Sequence, residues 1–346
     1  MVAATLPARY ARWDGPGAPF RVVDADVPRE PGPGEVLVAI DLATVCGSDL
    51  HTTRGRRSSP VPGVLGHEQV GHVVAAGEGT TVDPGDRVVW SVAASCGHCR
   101  RCARGIPQKC TDLLKYGHQP LDPAHPLTGG FATHCLLAPG TAVEVVPDAV
   151  PDVVAAPASC ATATVAAVLD AAGPVGPGDR VLVTGAGMLG LTATAMAARA
   201  GAEVVVSDPH PERRAQAVAF GAAATCDGAP GGVVDVALEL SGAAAAVRTC
   251  LDRLDVGGTL VLAGSVSPGP AVELDPERVV RGLHTVTGVH NYAPRHLAAA
   301  VEFLVGNHDR YPFASLVGGP YALDDIDAAF AAAGRPGAAP RQAVRP

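Results

Sequence analysis

The run from Val181 to Ala198 contains no charged residue and has the length of a membrane span, yet its internal order points elsewhere. A short aliphatic stretch, Val181-Leu182-Val183, leads into Gly185-Ala186-Gly187-Met188-Leu189-Gly190, and an alanine-rich helical segment follows. The first glycine permits a tight turn, the second lets backbone approach a pyrophosphate, and the third allows helix to pack closely on strand. The start of that helix, with Met188 and Leu189 in its first turn, then faces the phosphates. A buried strand feeding a buried helix explains the apolar run, so no membrane partner is expected.

From about residue 161 short strands alternate with alanine-rich helical stretches. Arg180-Val181-Leu182-Val183, Ala202-Glu203-Val204-Val205-Val206, Val233 to Glu239 and Gly258 to Leu262 make the series, which predicts an α/β, doubly wound parallel sheet. The second strand ends at Asp208, 23 positions after Gly185. That is close to the spacing of about 20 expected for the acid that holds the adenosine ribose. A 2'-phosphate there would meet a negative charge, so NAD is expected over NADP, with Arg213 and Arg214 nearby to soften the preference.

The first 150 residues follow a different rule. Glu35 to Ile40, Gly71 to Val74 and Asp86 to Trp90 are short aliphatic runs separated by Pro31-Gly32-Pro33-Gly34 and Asp83-Pro84-Gly85-Asp86, the pattern of a β-rich, barrel-like unit. At 346 residues the chain is also too long for one ordinary core. The expected division is 1–160, 161–288 for the wound sheet, and 289–346 returning to the first domain with a helix at His296 to Val305. The net charge of −8 offers no footprint for nucleic acid.

Nine cysteines occur in a chain whose first residues lack the apolar core of a secretory signal, which fits a reducing cytoplasm and metal or catalytic roles. Cys96, Cys99, Cys102 and Cys110 form C-x2-C-x2-C-x7-C, within a lobe of about 91–115. Four thiolates close a tetrahedral zinc shell, so this site builds structure. An iron–sulfur reading fits less well, because the fourth cysteine is spaced differently and Thr111, not proline, follows it. Cys46, His67 and Cys160 give a second group with three ligands and one open position, the arrangement of a catalytic zinc. Such a zinc acidifies the alcohol it polarises, so that hydride can leave the carbinol carbon for nicotinamide. Ser48 and His51 offer a hydroxyl-to-imidazole path for the proton, Asp49 a carboxylate to orient a ligand histidine, and Glu68 a group that enters or exchanges at the metal. Cys135, Cys226 and Cys250 remain as small core residues.

With these residues in hand the chain resembles the zinc-dependent medium-chain alcohol dehydrogenases. The likeness runs from Pro33-Gly34-Glu35-Val36-Leu37-Val38 through Gly66-His67-Glu68, the four-cysteine lobe and the glycine fingerprint. It implies a GroES-like catalytic domain, a Rossmann cofactor domain and a site in the cleft between them. It also implies Cys46, His67 and Cys160 as catalytic zinc ligands, the other four cysteines as structural ones, and Ser48 and His51 as the relay. Asp208 would hold the ribose, Arg213 would lie near the adenine, and Arg341 would approach the pyrophosphate. Subunits would pair through Thr285 to Val289 as homodimers or homotetramers.

Val88-Val89-Trp90-Ser91, Leu114-Lys115-Tyr116-Gly117-His118 and Pro157 to Thr164 resemble the branch known as phosphonate-catabolism-associated alcohol dehydrogenase. That likeness directs attention to an anionic substrate group and to Arg54, Arg56, Arg57, Lys115 and His118, although a charge run such as Arg54 to Arg57 is most often a solvated loop. The expected activity is NAD-linked oxidation of a small alcohol. A polyol, sugar or amino-alcohol dehydrogenase is the alternative, since pocket loops choose the substrate. A non-catalytic zinc-stapled binding protein is the alternative of another class, and it would be expected to have lost a catalytic ligand.

Overall fold

The strand Val36–Val45 is buried along almost its whole length, so both of its faces and both of its edges must be covered. Gln69–Ala76 pairs antiparallel along one edge, while His134–Leu137 and Arg341–Arg345 share the other. The resulting eight-stranded sheet has the order Val317–Ala322, Arg341–Arg345, Val36–Val45, Gln69–Ala76, Arg87–Ala94 and Leu114–Lys115, with Thr141–Val145 also on Arg87–Ala94. A three-stranded sheet of Arg21–Pro28, Thr5–Trp13 and Gly63–Val64 completes the β structure. Trp13, Trp90, Tyr116 and Phe131 fill the core with Val38, Ala43 and Val344 around them.

This computed structural model describes residues 5–122 and 127–346. The chain divides into two units, one of Met1–Cys160, Ala293–His308 and Phe313–Pro346, the other of Ala161–Tyr292 and Asp309–Pro312. In the first, the register of the last strand matters most: Gln342 lies opposite Val45, which brings Arg341 level with Cys46. The helix of the C-terminal segment spans Pro294–Asn307, starting ahead of the predicted His296 because Pro294 suits the first helical turn.

The second unit is a six-stranded parallel sheet of order Ala224–Cys226, Glu203–Ser207, Arg180–Thr184, Val234–Glu239, Leu254–Leu262 and Thr285–Gly288. Chain order reverses at Arg180–Thr184, and the carboxyl ends of strands beside such a reversal form the ligand crevice of open α/β sheets. The fingerprint turn sits there and opens the helix Met188–Ala200, which closes on Gly201 in the left-handed conformation. A Cβ on Gly190 would lie 1.7 Å from the Gly185 carbonyl oxygen, so only glycine admits this closeness. Cys135 and Cys250 are fully buried as expected, but Cys226 is half-exposed on the short edge strand and its thiol donates to the Gly228 carbonyl at 3.2 Å. Among the described residues no single helix is long and apolar enough to cross a membrane.

Gly190→Ala must displace backbone rather than a side chain. It is expected to lower the apparent melting temperature by about 5 °C or more, as read by calorimetry or circular dichroism.

Candidate active site

Cys46 follows the strand Val36–Val45 and caps the helix Gly47–Thr53, so its thiol is fixed where sheet becomes helix. Its backbone N–H donates to Asp49 Oδ2 at 2.9 Å, and Asp49 Oδ1 lies 3.3 Å from His67 Nδ1. One buried carboxylate thus contacts both the Cys46 backbone and the His67 ring, and leaves Nε2 as the ring nitrogen that could coordinate a metal. Cys160 follows the turn Ala156–Ser159, which is anchored when Ser159 Oγ donates to the Gln69 carbonyl at 3.1 Å. The coordinating atoms of Cys46, His67 and Cys160 all fall within 4.8 Å of one another.

These groups are electrostatically interdependent. Hydrogen bonding from Cys160 pulls the Cys46 thiol well below the ordinary cysteine range, and the same contact together with burial pushes Cys160 well above it. One contact thus drives the two thiols in opposite directions, and a divalent cation held between them would favour both as thiolates. Burial alone would lower the His67 imidazole, but Asp49 and Cys46 outweigh it and raise it to about 10. Two thiolates and an imidazole with a position left open are a donor set that fits zinc.

Ser48 Oγ lies 3.1 Å from His67 Nε2 rather than on His51, and no hydrogen bond joins Ser48 to His51 among the described residues. Among the described residues His51 Nδ1 is buried without a hydrogen-bond partner, and burial, with Arg56 and Arg54, lowers this imidazole below its usual value. The continuous hydroxyl-to-imidazole path expected from the sequence is therefore not made by these two side chains alone.

Glu68 and Arg341 depart from expectation. Arg341 Nε donates to Glu68 Oε2 at 2.6 Å and Nη2 to Oε1 at 2.8 Å, while Thr44 Oγ1 donates to Oε2 at 2.6 Å. Both carboxylate oxygens are thereby occupied, so Glu68 does not enter the metal position here, and the Arg341 guanidinium faces a carboxylate rather than an open phosphate position. Burial opposes the Arg341 charge, but Cys46 and Glu68 outweigh it and hold the group above the usual arginine range. Thr44 carried no motif; only the strand pairing that sets its backbone N–H on the Glu68 carbonyl reveals it.

The second thiol group is equally compact. Sγ separations are 3.5 Å for Cys99–Cys102, 3.8 Å for Cys99–Cys110 and 3.4 Å for Cys110–Cys96. Backbone N–H groups of Cys96, Cys99, Cys102 and Asp112 donate to these sulfurs, as they would to thiolates. The N–H of Cys102 is the largest influence bringing Cys99 down to about 5.

In the second unit Asp208 is almost wholly buried at the end of Glu203–Ser207. Ala186 N–H donates to its Oδ2 at 2.8 Å, and His210 N–H donates to Oδ1 at 2.8 Å with its ring Nδ1 2.9 Å away. Arg213 Nη1 stands 3.9 Å from Oδ2. Burial works against this charge, yet the N–H donors outweigh it and keep the carboxyl below its usual range. Glu239, which no motif marked, accepts from Ser241 N–H, Ser241 Oγ and Gly242 N–H at 2.7–2.8 Å, and so clamps a loop whose Ser241 packs against Gly185.

Residues 32–148 match the alcohol dehydrogenase GroES-like domain, and residues 189–306 match the zinc-binding dehydrogenase domain. The chain is 30% identical over 330 residues to 5-exo-hydroxycamphor dehydrogenase of Pseudomonas putida, covering 87% of this chain and 89% of that protein. It is 33% identical over 293 residues to L-threonine 3-dehydrogenase of Deinococcus deserti, covering 78% and 80%. A solved zinc-binding dehydrogenase of Sinorhizobium meliloti 1021 bound to NADP is similar with a TM-score of 0.86 and 27% identity, over 99% of this chain and 100% of that one. These likenesses define an oxidoreductase of CH–OH donors. The chain belongs to the zinc-dependent medium-chain alcohol dehydrogenase family.

Removing one partner of the buried ion pair leaves the other charge unmet. Arg341→Met should destabilise the first unit by about 3–5 kcal/mol in chemical denaturation, and adding Glu68→Gln should recover much of that loss.

Proposed function

We propose that this protein oxidises an alcohol to an aldehyde or ketone, reversibly, with one catalytic and one structural zinc per chain and NAD as hydride acceptor. The observation that carries the reading is the convergence of Cys46, His67 and Cys160 within 4.8 Å, three ligands with room for a fourth. Zinc held there supplies the positive charge that acidifies the substrate hydroxyl. Asp49 holds His67 with Nε2 toward the metal, and Ser48 Oγ, already on the same side of that ring, receives the proton. His51, with its unpartnered Nδ1 three residues along the helix, is the next acceptor once a substrate or cofactor hydroxyl bridges the gap. Cys96, Cys99, Cys102 and Cys110 hold the structural ion.

On the dinucleotide side Gly185, Gly187, Met188, Leu189 and Gly190 cradle the pyrophosphate, Asp208 receives the ribose hydroxyls and Arg213 flanks the adenine. An ionised Asp208 supports NAD, and the NADP bound by the Sinorhizobium relative makes NADP the comparison to run. The L-threonine dehydrogenase relative favours an amino alcohol as the second reading of substrate. The edge strand Thr285–Gly288 with exposed Val280, Leu283 and Val286 supports pairing of copies, as a homodimer or within a homotetramer.

Cys46→Ala should lose one zinc by elemental analysis and about three orders of magnitude in kcat. Activity that survives the loss of that zinc would sink the mechanism. Asp208→Ala should narrow the NAD to NADP ratio in kcat/KM by about tenfold or more, the sign following from removal of a charge that repels a 2'-phosphate.

A further inference from the structure

Much of the accepting capacity of Asp208 is already used within the chain. Oδ2 takes the Ala186 N–H at 2.8 Å, which ties the carboxylate to the glycine turn. Oδ1 takes the His210 N–H at 2.8 Å and faces the His210 ring Nδ1 at 2.9 Å. An ionised carboxylate only accepts, so Nδ1 carries the hydrogen and donates. With about two lone-pair positions on each oxygen, Oδ1 is filled and Oδ2 keeps one for a ligand.

The two partners differ in access. The Asp208 side chain is 3% exposed and that of His210 is 61% exposed, so the imidazole covers the carboxylate on its outer side. Its Nδ1 is held by Asp208, and Nε2 is the atom left to meet a ligand. A neutral ring accepts at Nε2, whereas a protonated ring donates there. The arginines that follow do different work. Arg214 Nη1 donates to the carbonyls of Asp208 at 2.8 Å and Pro209 at 3.1 Å, and so locks the turn instead of reaching outward. Arg213 stands with Nη1 3.9 Å from Asp208 Oδ2 and its side chain 45% exposed. The helix Pro211–Ala219 starts directly after His210, and the positive end of its dipole adds to the field of Arg213. The carboxylate that would repel a 2'-phosphate is therefore shielded from two sides.

Resting on the dinucleotide reading above, we propose that His210 is a specificity-determining residue of the cofactor site, which covers Asp208 and presents Nε2 to the 2' position of the ribose, so that the chain accepts NADP as well as NAD. A 2'-hydroxyl donates to Nε2 of the neutral ring. A 2'-phosphate is met by the protonated ring with Arg213 beside it. Without the ring, Asp208 Oδ1 is open to a hydroxyl, and its charge is bare to a phosphate. Loss of the imidazole thus penalises NADP far more than NAD.

The test uses full-length, zinc-loaded protein as wild type, His210→Ala and His210→Lys, with circular dichroism checked for each. Calorimetry measures binding of adenosine 5'-monophosphate and adenosine 2',5'-bisphosphate, neither of which can be reduced. Steady-state rates compare NAD with NADP on an alcohol that the wild type oxidises. In His210→Ala the bisphosphate should weaken about tenfold relative to the monophosphate, the worth of one charge-assisted hydrogen bond, and His210→Lys should retain most of its binding. The ratio of NADP to NAD in kcat/KM should fall by a similar factor in His210→Ala, chiefly through KM. An unchanged ratio of the two nucleotides in His210→Ala overturns the proposal. So does an equal loss of both, which would make His210 a support of the turn and nothing more, and so does a wild type that binds only the monophosphate. If neither nucleotide binds the wild type, the dinucleotide reading itself fails and takes the proposal with it. If both bind but no alcohol is oxidised, the dehydrogenase reading fails and calorimetry alone decides the role of His210.

Discussion

The Glu68–Arg341 ion pair joins residues 273 positions apart and ties the last strand to the residue beside His67. Neither charge has water to fall back on, so the pair is stable only while both hydrogen bonds of the fork and the Thr44 hydroxyl are in place. That demand fixes the register of Arg341–Arg345 against Val36–Val45, since a slip of one residue would turn the guanidinium to the opposite face of the sheet. It also stiffens the strand that ends at Cys46 and the segment that carries His67. Coordinating side chains positioned in this way lose little freedom when an ion arrives.

Two kinds of information lie in the chain, and they are not equally readable. Local spacing carries the four-cysteine lobe and the glycine turn, because in each the partners lie within a few residues and the backbone geometry that joins them is short. The wound sheet follows from aliphatic runs alternating with helical ones. Cys46, His67 and Cys160 are legible only as a trio of suitable chemistry, since 93 positions separate His67 from Cys160 and only the fold brings them together.

What escapes sequence reasoning is partnership across the sheet. Glu68 and Arg341 each stand out in the sequence for a different ligand, and strand pairing turns them toward each other. Ser48 and His51 sit at relay spacing on one helix, but the hydroxyl rotates to His67. Arg54, Arg56 and Arg57 look alike in a row; exposure separates the last from the others. Glu239 lacks any motif, although three donors converge on one of its oxygens.

The 273 positions between Glu68 and Arg341 have a consequence for synthesis. Chains are made from the amino terminus, and domains tend to fold as they emerge. Cys46, His67 and Glu68 therefore leave the ribosome long before the strand that neutralises Glu68 exists. Until Arg341–Arg345 is added, the sheet has an open edge and an unmatched carboxylate near the Cys46 thiol. The first unit closes only once Arg341–Arg345 has been made, while the parallel sheet, built from Ala161–Tyr292, has its strands in hand earlier.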